Sequence, residues 1–373
     1  MRVITIIGAR PQFIKSSPVS KALKNADIQE ITVHTGQHYD ANMSAVFFED
    51  MGLPKPQYRL ECGGLERQEM LAKIQAELTP IFTEEKPDFV LVYGDTNSTL
   101  AGARTANELN IPLIHVEAGL RSFNQEMPEE HNRVETDRRS KILFTPSENA
   151  VRNLSEEGFT NKEIHIETIG DVMFDALLQF QSKAHWIEEM GNLAIFEKEF
   201  GLVTVHRFEN ISNRDKLSQL VDELNEVHAT QIPLYMLLHP STRKRLKEFG
   251  LKLNIHQAPP VGYLQMLWLL RQCTIVLTDS GGLQKEAYFS KKPCITLRDQ
   301  TEWVELVERG VNRLHAVGTD SLVNSIEDFR KAVLDYSWKG YGQGDAAARI
   351  ARTLIYLTKT VLGNDTHHRY IQH

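Results

Sequence analysis

The stretch TDSGGLQKEA, at residues 278–287, follows an apolar run, TIVL, and restarts with good helix formers. Two glycines after a strand let the backbone turn sharply and approach a ligand, and the first N–H groups of the next helix then point outward as an anion cradle. We therefore predict that Ser280, Gly281 and Gly282 bind phosphate. Glu286, further along the helix, is expected to reach a ribose diol. The alternative interpretation is a tight strand-to-helix connection with a capping serine.

A second group of candidate residues consists of carboxylates that lie just after predicted strands or in the loop that follows one. They are Asp95 in YGDTN, Glu117 in HVEAG, and Glu129 or Glu130 in MPEEHNR. Carboxylates repel the phosphates of a ligand, so their placement indicates proton transfer at a carbon or oxygen of the substrate. Ion pairs with neighbouring arginines are the structural alternative. A metal site is not predicted, because the sequence contains neither H-E-x-x-H nor a clustered His/Asp spacing.

Two histidines in the second half of the chain are each followed closely by an arginine. His206 precedes Arg207 in TVHRFEN, and His239 lies four residues before Arg243 in LLHPSTR. Such pairs at strand ends suit phosphate oxygens, although a hydrogen-bonded structural histidine is the alternative for each. The other histidines at strand positions are interpreted as structural: His34, His115 and His256.

Other glycine motifs do not indicate a nucleotide-binding loop of a different class. The sequence lacks G-x-x-x-x-G-K-[ST], which disfavours a P-loop kinase. GQGDAA at 342–347 matches G-x-G-x-x-A but follows WKGY, where a dinucleotide site needs a buried strand. The first turn, GARPQFIK, has one glycine followed by Arg and Pro. A dehydrogenase is therefore not predicted.

Short apolar runs that end in polar or glycine-containing turns, each followed by a helical segment, repeat along the chain. The first series is VITIIG, EITVHTG, DFVLVYGDT, LIHVEAG and KILFTPSE, and the second is GLVTVHR, PLYMLLHP, NIHQAP, TIVLTDSGG and PCITLRDQ. Continuous apolar strands that alternate with helices indicate parallel sheets buried on both faces. The fold class is therefore α/β, with two doubly wound domains.

We predict an N-terminal domain over 1–172, which carries the carboxylates, and a C-terminal domain over 173–345, which carries the phosphate-binding residues. The break falls near IGDVMFDALLQF, where a long helical stretch precedes the second series. A last helix within 346–373 is expected to return to the first domain. Ligands of open parallel sheets bind beyond the carboxyl ends of the strands, so two facing edges would form a cleft between the domains.

Composition limits the classes of function. The chain has 373 residues, 41% of them hydrophobic and 24% charged, and a formal net charge of −7. This charge disfavours nucleic acid as a partner, and no apolar stretch approaches the roughly 20 residues needed to cross a membrane. Three scattered cysteines, Cys62, Cys273 and Cys294, indicate neither a disulfide framework nor a zinc site. A cytoplasmic location fits these observations.

Nine motifs, in this order and spacing, resemble the non-hydrolysing UDP-N-acetylglucosamine 2-epimerase family. They are GARPQFIK, TGQHYDANMS, YGDTNSTLAG, HVEAGLRSF, MPEEHNR, VHRFEN, LHPSTR, LTDSGGLQKEA and LRDQTEWVE. The resemblance spans nearly the whole chain and implies the GT-B architecture, in which two Rossmann-like domains hold the active site in an interdomain cleft. It also implies a UDP-sugar substrate, no cofactor and a homodimer.

The resemblance assigns roles residue by residue. The catalytic positions are Asp95, Glu117, Glu129 and His206. The positions that bind the UDP-sugar are Arg10, Lys15, His206, Ser280, Gly281, Gly282 and Glu286. The family is thought to expel UDP by elimination to a 2-acetamidoglucal and to re-add it after protonation on the other face. One carboxylate would take the C2 proton and another return it, while His206 and the helix end stabilise the departing diphosphate.

The resemblance also bears on regulation. Some bacterial members bind a second UDP-GlcNAc as an activator, and the corresponding positions form a possible regulatory site at Gln37, Gln68, Arg207 and His239. Asp40 stands where a longer Gln or Glu side chain is often found.

One motif departs from the family pattern in a way that bears on the substrate. UDP-GlcNAc epimerases commonly read DTTERPE where this chain reads DQTEWVE, so Trp303 replaces an arginine. The variant resembles the branch that epimerises UDP-2,3-diacetamido-2,3-dideoxyglucuronate for surface polysaccharide. Trp303 would pack against the 3-acetamido methyl group, or else lie in the core beneath the loop.

Three other functions remain as alternatives. They are a GT-B glycosyltransferase with a UDP-sugar donor, a sugar-nucleotide-binding regulator, and a hydrolysing 2-epimerase that releases UDP. The three carboxylates argue against the glycosyltransferase.

Overall fold

The structure is a computed structural model that describes residues 1–37, 48, 51–161, 163–319 and 321–368. The chain divides into two compact units. The first unit consists of Met1–Gln179 together with Lys339–His373, and the second is Phe180–Trp338. Helices and strands are numbered below along the described chain.

The first unit is built on a parallel sheet. Its strands are β1 (Arg2–Ile7), β2 (Gln29–His34), β3 (Tyr58–Arg59), β4 (Phe89–Tyr93), β5 (Leu113–Val116), β6 (Ile142–Thr145) and β7 (His165–Thr168), in the spatial order β3-β2-β1-β4-β5-β6-β7. Its helices are α1 (Arg10–Asn25), α2 (Arg67–Glu85), α3 (Asn97–Glu108), α4 (Pro128–Arg139), α5 (Glu148–Glu156) and α6 (Val172–Phe180). Buried apolar side chains from β1, β2 and β4 form its core with α2 and α3.

The second unit repeats this design. Its strands are β8 (Gly201–Thr204), β9 (Leu234–Leu237), β10 (His256–Ala258), β11 (Ile275–Thr278), β12 (Cys294–Thr296) and β13 (Asn312–Leu314), in the order β10-β9-β8-β11-β12-β13. Its helices are α7 (Phe208–Ile211), α8 (Arg214–Thr230), α9 (Pro240–Phe249), α10 (Tyr263–Gln272), α11 (Gly281–Phe289), α12 (Val304–Glu308) and α13 (Leu322–Lys331). The predicted α/β class with two parallel sheets is confirmed. The apolar runs became strands because both faces of each sheet are covered.

The first strand-to-helix turn depends on Gly8. A Cβ atom at this position would overlap the Thr35 and Ser98 hydroxyl oxygens. These two hydroxyls hydrogen-bond to each other at 2.7 Å, next to the ends of β2 and the start of α3. Only glycine fits at such a close approach, and the turn places Arg10 and Lys15 on α1 beyond the carboxyl end of β1.

The unit boundary lies at Gln179/Phe180, seven residues beyond the predicted residue 172, and the chain re-enters the first unit at Lys339 instead of 346. A last helix, α14 (Ala346–His368), packs on α1. The shift of the boundary has a physical reason, because a side chain of α6 caps α14. The carboxylate of Asp175 accepts hydrogen bonds from the N–H groups of Ala346 and Ala347, at 3.2 and 2.8 Å.

Because Asp175 is buried at this cap, we expect the free energy of unfolding to depend on pH. Burial raises the pKa of Asp175 from 3.8 to about 6, against the lowering effect of its two backbone hydrogen bonds. Between these two pKa values the folded protein holds the proton more tightly than the unfolded chain, so the contribution of Asp175 to stability falls as pH rises through this window. We expect the unfolding free energy of wild type relative to Asp175→Asn to decrease from pH 4 to pH 7. Urea unfolding of both proteins across this range measures it.

Asp222 is an exposed residue on α8, and the variant Asp222→Asn is the control for this measurement. A wild-type curve that stays parallel to that of Asp175→Asn would contradict the prediction.

Among the helices of the described ranges, none is long and apolar enough to span a membrane.

Candidate functional site

Two of the predicted catalytic carboxylates follow neighbouring strands. β4 pairs with β5 so that Tyr93 lies opposite Val116, which places Asp95 and Glu117 just beyond the same edge of the sheet. Glu117 has a φ of +70°, a left-handed conformation that is uncommon for a residue with a side chain. Such strain persists where the surrounding structure holds the residue in place, and it often marks a functional position.

Glu117 forms an ion pair with Lys15 on α1. The Lys15 ammonium donates to Glu117 Oε1 at 2.8 Å, and about one-tenth of each side chain is exposed. A Cβ atom at Gly94 would lie 3.2 Å from Lys15 Nζ and 3.7 Å from Glu117 Oε1, so the pair lies over this glycine. The family resemblance implies that Lys15 is a diphosphate ligand, and in the described structure its ammonium contacts the catalytic candidate Glu117.

Asp95 is paired with Arg133 of α4, which also contacts Glu130 at 3.1 Å. Glu130 is 2% exposed and accepts hydrogen bonds from Ser122 N and Oγ, both at 2.9 Å, and from Phe123 N at 3.1 Å. These bonds fix the connection between β5 and α4.

Of the two adjacent glutamates, Glu130 therefore has a structural role. Glu129 is half-buried in the first turn of α4, where a carboxylate also interacts favourably with the helix dipole. It remains the predicted catalytic residue of the pair.

The other predicted residues of the first unit lie near the first turn and on α2. Arg10 begins α1 and is half-buried, and Gln68 is exposed on α2. Gln37 uses its amide oxygen to accept from Ser98 N at 3.0 Å and Ser98 Oγ at 2.8 Å, at the start of α3. Asp40 lies outside the described residues.

In the second unit His206 is held by Asp279. β8 pairs with β11 so that Thr204 lies opposite Thr278, and the next residues of both strands form a shared turn region. The buried carboxylate of Asp279 accepts from the backbone N–H groups of His206 and Arg207, with shortest distances of 3.0 and 2.9 Å. His206 Nδ1 lies 3.2 Å from Asp279 Oδ1, and the imidazole is 39% exposed. The second ring nitrogen is thereby directed away from Asp279.

The surroundings of Asp279 keep it ionised. Burial alone would raise its pKa, but the His206 side chain and the two backbone donors outweigh burial and lower it. Asn210 adds a further hydrogen bond, from Nδ2 at 3.2 Å. A fixed carboxylate behind an exposed imidazole is an arrangement suited to binding or stabilising an anion.

The predicted phosphate cradle is the start of α11. Ser280 is the N-cap residue, and a Cβ atom at Gly282 would meet no other atom within 4 Å, so this side of the turn is open. A Cβ atom at Gly281 would overlap Glu302 Oε1. Glu286 is 6% exposed and lies four residues after Gly282 on the same helix. The Glu302 carboxylate is balanced by Arg298, whose Nη1 lies 3.1 Å from Glu302 Oε2.

Trp303 is buried. Its side chain is part of the core at 2% exposure, and the ammonium of Lys285 lies 3.9 Å from the centre of its ring. Of the two interpretations of Trp303, the structure therefore agrees with the one that places the ring in the core. It does not agree with the one that packs the ring against a substrate methyl group. Its replacement of arginine brings a cation–π contact with the helix that carries the glycine turn.

The remaining two residues of the predicted regulatory site lie at the His206 turn and at the start of α9. Arg207 is half-buried, and His239 is exposed as the N-cap of α9, with Nδ1 2.7 Å from Ser241 Oγ. The His239 ring centre is 5.5 Å from that of His206. Within the described ranges, no group of three or more His, Cys, Asp or Glu side chains is arranged to hold a metal ion.

Comparison with known proteins identifies the family. The family model described as UDP-N-acetylglucosamine 2-epimerase matches residues 21–355. This chain belongs to that family. A UDP-2,3-diacetamido-2,3-dideoxy-D-glucuronate 2-epimerase from Pseudomonas aeruginosa is 48% identical over 358 residues, which cover 96% of this chain and 100% of that protein. A UDP-N-acetylglucosamine 2-epimerase from Methanocaldococcus jannaschii is 41% identical over 95% of this chain and 99% of that protein.

Solved structures of this epimerase family share the fold. The M. jannaschii UDP-GlcNAc 2-epimerase in complex with UDP-GlcNAc and UDP superimposes with a TM-score of 0.88 at 42% identity, over 95% of this chain and 100% of that one. The Neisseria meningitidis enzyme bound to UDP-GlcNAc gives 0.86 at 30% identity, with the same coverage. The predicted resemblance and the GT-B architecture of this epimerase-family chain are thus confirmed.

The sequence predicts no role for Asp279 and does not distinguish Glu129 from Glu130 as the catalytic glutamate. Asp279 was visible at the end of an apolar run, directly before Ser-Gly-Gly, but nothing local to it shows that it accepts from the His206 turn. Glu130 and Glu129 are adjacent and identical in type, and only the hydrogen bonds of Glu130 distinguish them.

Proposed function

We propose that this enzyme inverts C2 of a UDP-2-acetamido sugar without hydrolysing it, with UDP-2,3-diacetamido-2,3-dideoxyglucuronate as its substrate, in surface polysaccharide synthesis. The observation that carries the proposal is the placement of Asp95 and Glu117 on adjacent strand ends of a chain that belongs to the 2-epimerase family. The 48% identity to the P. aeruginosa enzyme supports the diacetamido-uronate as the substrate.

The C2 proton is not acidic, so the reaction proceeds through elimination and re-addition of UDP. UDP leaves by elimination, which gives a 2-acetamidoglucal, and adds back after C2 has been protonated on the opposite face. One carboxylate removes the proton and another supplies it, and we assign these steps to Asp95, Glu117 and Glu129. The arrangement also fits the nearby cations, since Lys15 and Arg133 offset charge around the carboxylates.

Stabilisation of the departing UDP is assigned to the second unit with help from α1. His206 would contact the diphosphate, the Ser280 hydroxyl and the N–H groups of Gly281 and Gly282 would bind its oxygens, and Glu286 the ribose. Arg10 and Lys15 would add positive charge. This route uses no cofactor. We further propose that the enzyme is a homodimer in the cytoplasm. A regulatory UDP-GlcNAc would bind at Gln37, Gln68, Arg207 and His239.

The proposal predicts a substrate preference. In deuterated water, proton NMR is expected to show C2 inversion of the diacetamido-uronate with incorporation of deuterium at C2. The ratio of its kcat/KM to that of UDP-GlcNAc should be at least about tenfold, because a site shaped for a 3-acetamido group leaves polar groups unpaired around a smaller hydroxyl.

Each other outcome has a distinct meaning. Equal or faster turnover of UDP-GlcNAc would overturn the substrate assignment but leave a 2-epimerase. Release of UDP with free sugar would indicate a hydrolysing enzyme, and transfer that occurs only with an added acceptor would indicate a glycosyltransferase.

A further inference from the structure

A fully buried charged network lies beneath the carboxylates of the first unit. It joins His115 on β5, Asp137 on α4 and Arg121 in the connection between them, and their side chains are at most 1% exposed. Arg121 reaches outward to Glu157, with two hydrogen bonds of 2.6 and 3.0 Å. Interpreted from the sequence, His115 is only a structural histidine, and the catalytic steps assigned above use none of these residues.

The first link runs to the turn that carries Asp95. His115 Nε2 lies 2.7 Å from the carbonyl oxygen of Gly94, which can only accept, so this nitrogen carries the proton and donates it. Gly94 has a φ of +62°, and its own N–H donates to Val116 O at 3.0 Å. Both sides of Gly94 are therefore bonded to β5, and the peptide unit that leads into Asp95 has a fixed orientation.

The second link runs to the turn that follows Glu117. Asp137 Oδ2 accepts from Gly119 N at 3.1 Å and from Arg121 Nη1 at 2.7 Å. Gly119 has a φ of +79°, and a Cβ atom there would collide with the carbonyl of Ala150. The turn therefore has a conformation that only glycine adopts easily, and it is held in place by a buried acceptor.

One carboxylate joins the two links. Asp137 Oδ1 lies 2.6 Å from His115 Nδ1, while its other oxygen bonds the Gly119 turn. Burial alone would raise the pKa of Asp137, but His115 and Arg121 outweigh burial and lower it, so Asp137 is ionised and accepts at both oxygens. A continuous chain of hydrogen bonds thus runs from Gly94, next to Asp95, to Gly119, two residues after Glu117.

We propose that His115 and Asp137 are positioning residues of the epimerase, which hold the Asp95 and Glu117 turns in the relative arrangement that proton transfer at C2 requires. The inference rests on the function proposed above. It adds a role for two buried residues that touch no substrate. A displacement of about 1 Å in a reacting group can reduce the rate of the chemical step about 100-fold, so loss of either link should act mainly on kcat.

Two substitutions break the network at different points. In His115→Gln one amide can donate to Asp137 or to Gly94 O but not to both, so one link is lost while the side chain stays polar. Asp137→Ala removes the acceptor for both turns. We expect each variant to lower kcat for C2 inversion by about 10- to 100-fold, with KM and the calorimetric Kd for UDP within about threefold of wild type.

Asp137→Asn separates geometry from charge. Its amide oxygen can keep the bonds from Gly119 and Arg121, and its NH₂ group can donate to a neutral His115 that still donates to Gly94. This variant should recover kcat to within about fivefold of wild type, because the links are retained. Glu135→Gln, in the half-buried ion pair of the same helix with Arg104 at 2.7 Å, is the matched control and should behave as wild type.

The outcomes separate this inference from the proposed function. If wild type does not invert C2, the proposed function fails. If wild type inverts C2, and His115→Gln binds UDP stoichiometrically and keeps the wild-type kcat, the positioning role is overturned. In that case a lower melting temperature of His115→Gln would mean that the network only stabilises the fold. Should Asp137→Ala not fold, His115→Gln compared with Asp137→Asn decides the question.

Discussion

Replacing Asp95 with Asn, or Glu117 with Gln, is expected to reduce C2 inversion by about 10²- to 10⁴-fold while UDP still binds, because an amide cannot accept or return the proton. Asn and Gln are nearly isosteric with Asp and Glu. Lys15 and Arg133 therefore lose a negatively charged partner but keep a hydrogen-bond acceptor. The measurements are kcat by proton NMR in deuterated water and the Kd for UDP by calorimetry. Deuterium exchange at C2 should fall with turnover in the variant that lacks the carboxylate that removes the proton, because exchange reports that proton transfer.

Glu117→Gln also breaks the ion pair between Glu117 and Lys15. Removing the carboxylate leaves the ammonium, about one-tenth exposed, beside a neutral amide at the former 2.8 Å contact. If Lys15 then turns toward a bound diphosphate, UDP affinity should rise while turnover falls, which no general loss of folding would produce. Glu126→Gln, exposed on the same connection between β5 and α4, is the control and should keep wild-type kcat. Wild-type turnover in either Asp95→Asn or Glu117→Gln would refute the catalytic assignment.

The strands of this fold could be predicted from the sequence because each is a short apolar run closed by a turn. Such a pattern is local, and burial on both sheet faces requires it, as in VITIIG for β1 and TIVL for β11. The unit boundary near residue 180 was less visible. It depends on whether α6 packs with the residues before it or after it, and that is decided by the cap from Asp175 to α14, about 170 residues away along the chain.

The candidate site was likewise predictable only in part. Which residues stand at strand ends follows from the local pattern, and so Asp95, Glu117, His206 and Ser280 could be named from the sequence. Which side chains then pair does not follow, because partners such as Lys15 and Glu117 are 102 positions apart. The same limit applies to Trp303: a tryptophan beside a predicted ligand loop can face the ligand or the core, and the position of Lys285 over its ring decides between the two.

The second large effect is expected at His206. His206→Ala should weaken UDP binding by roughly 1.5–3 kcal/mol, or about 10- to 150-fold, because it removes a charge-assisted contact to the diphosphate. Turnover should fall further than binding, since the negative charge on UDP grows as the bond to the sugar breaks, and a donor at that oxygen acts more strongly in the transition state.

Asp279→Asn tests whether the carboxylate behind His206 is essential for that role. Every described neighbour that contacts the Asp279 oxygens by hydrogen bond is a donor: His206 N and Nδ1, Arg207 N and Asn210 Nδ2. An amide has one acceptor oxygen, so either the backbone donors of the turn or the His206 imidazole loses its acceptor, and the arrangement of His206 would shift. We therefore expect Asp279→Asn to weaken UDP binding at least as much as His206→Ala, with little further loss in the double variant, because both changes remove the same contact. Glu209→Gln, exposed on α7 beside the turn, should leave the UDP affinity unchanged. Losses that add fully in the double variant would mean that Asp279 acts on UDP independently of His206, since a residue that works only through the imidazole has nothing left to position once the imidazole is gone.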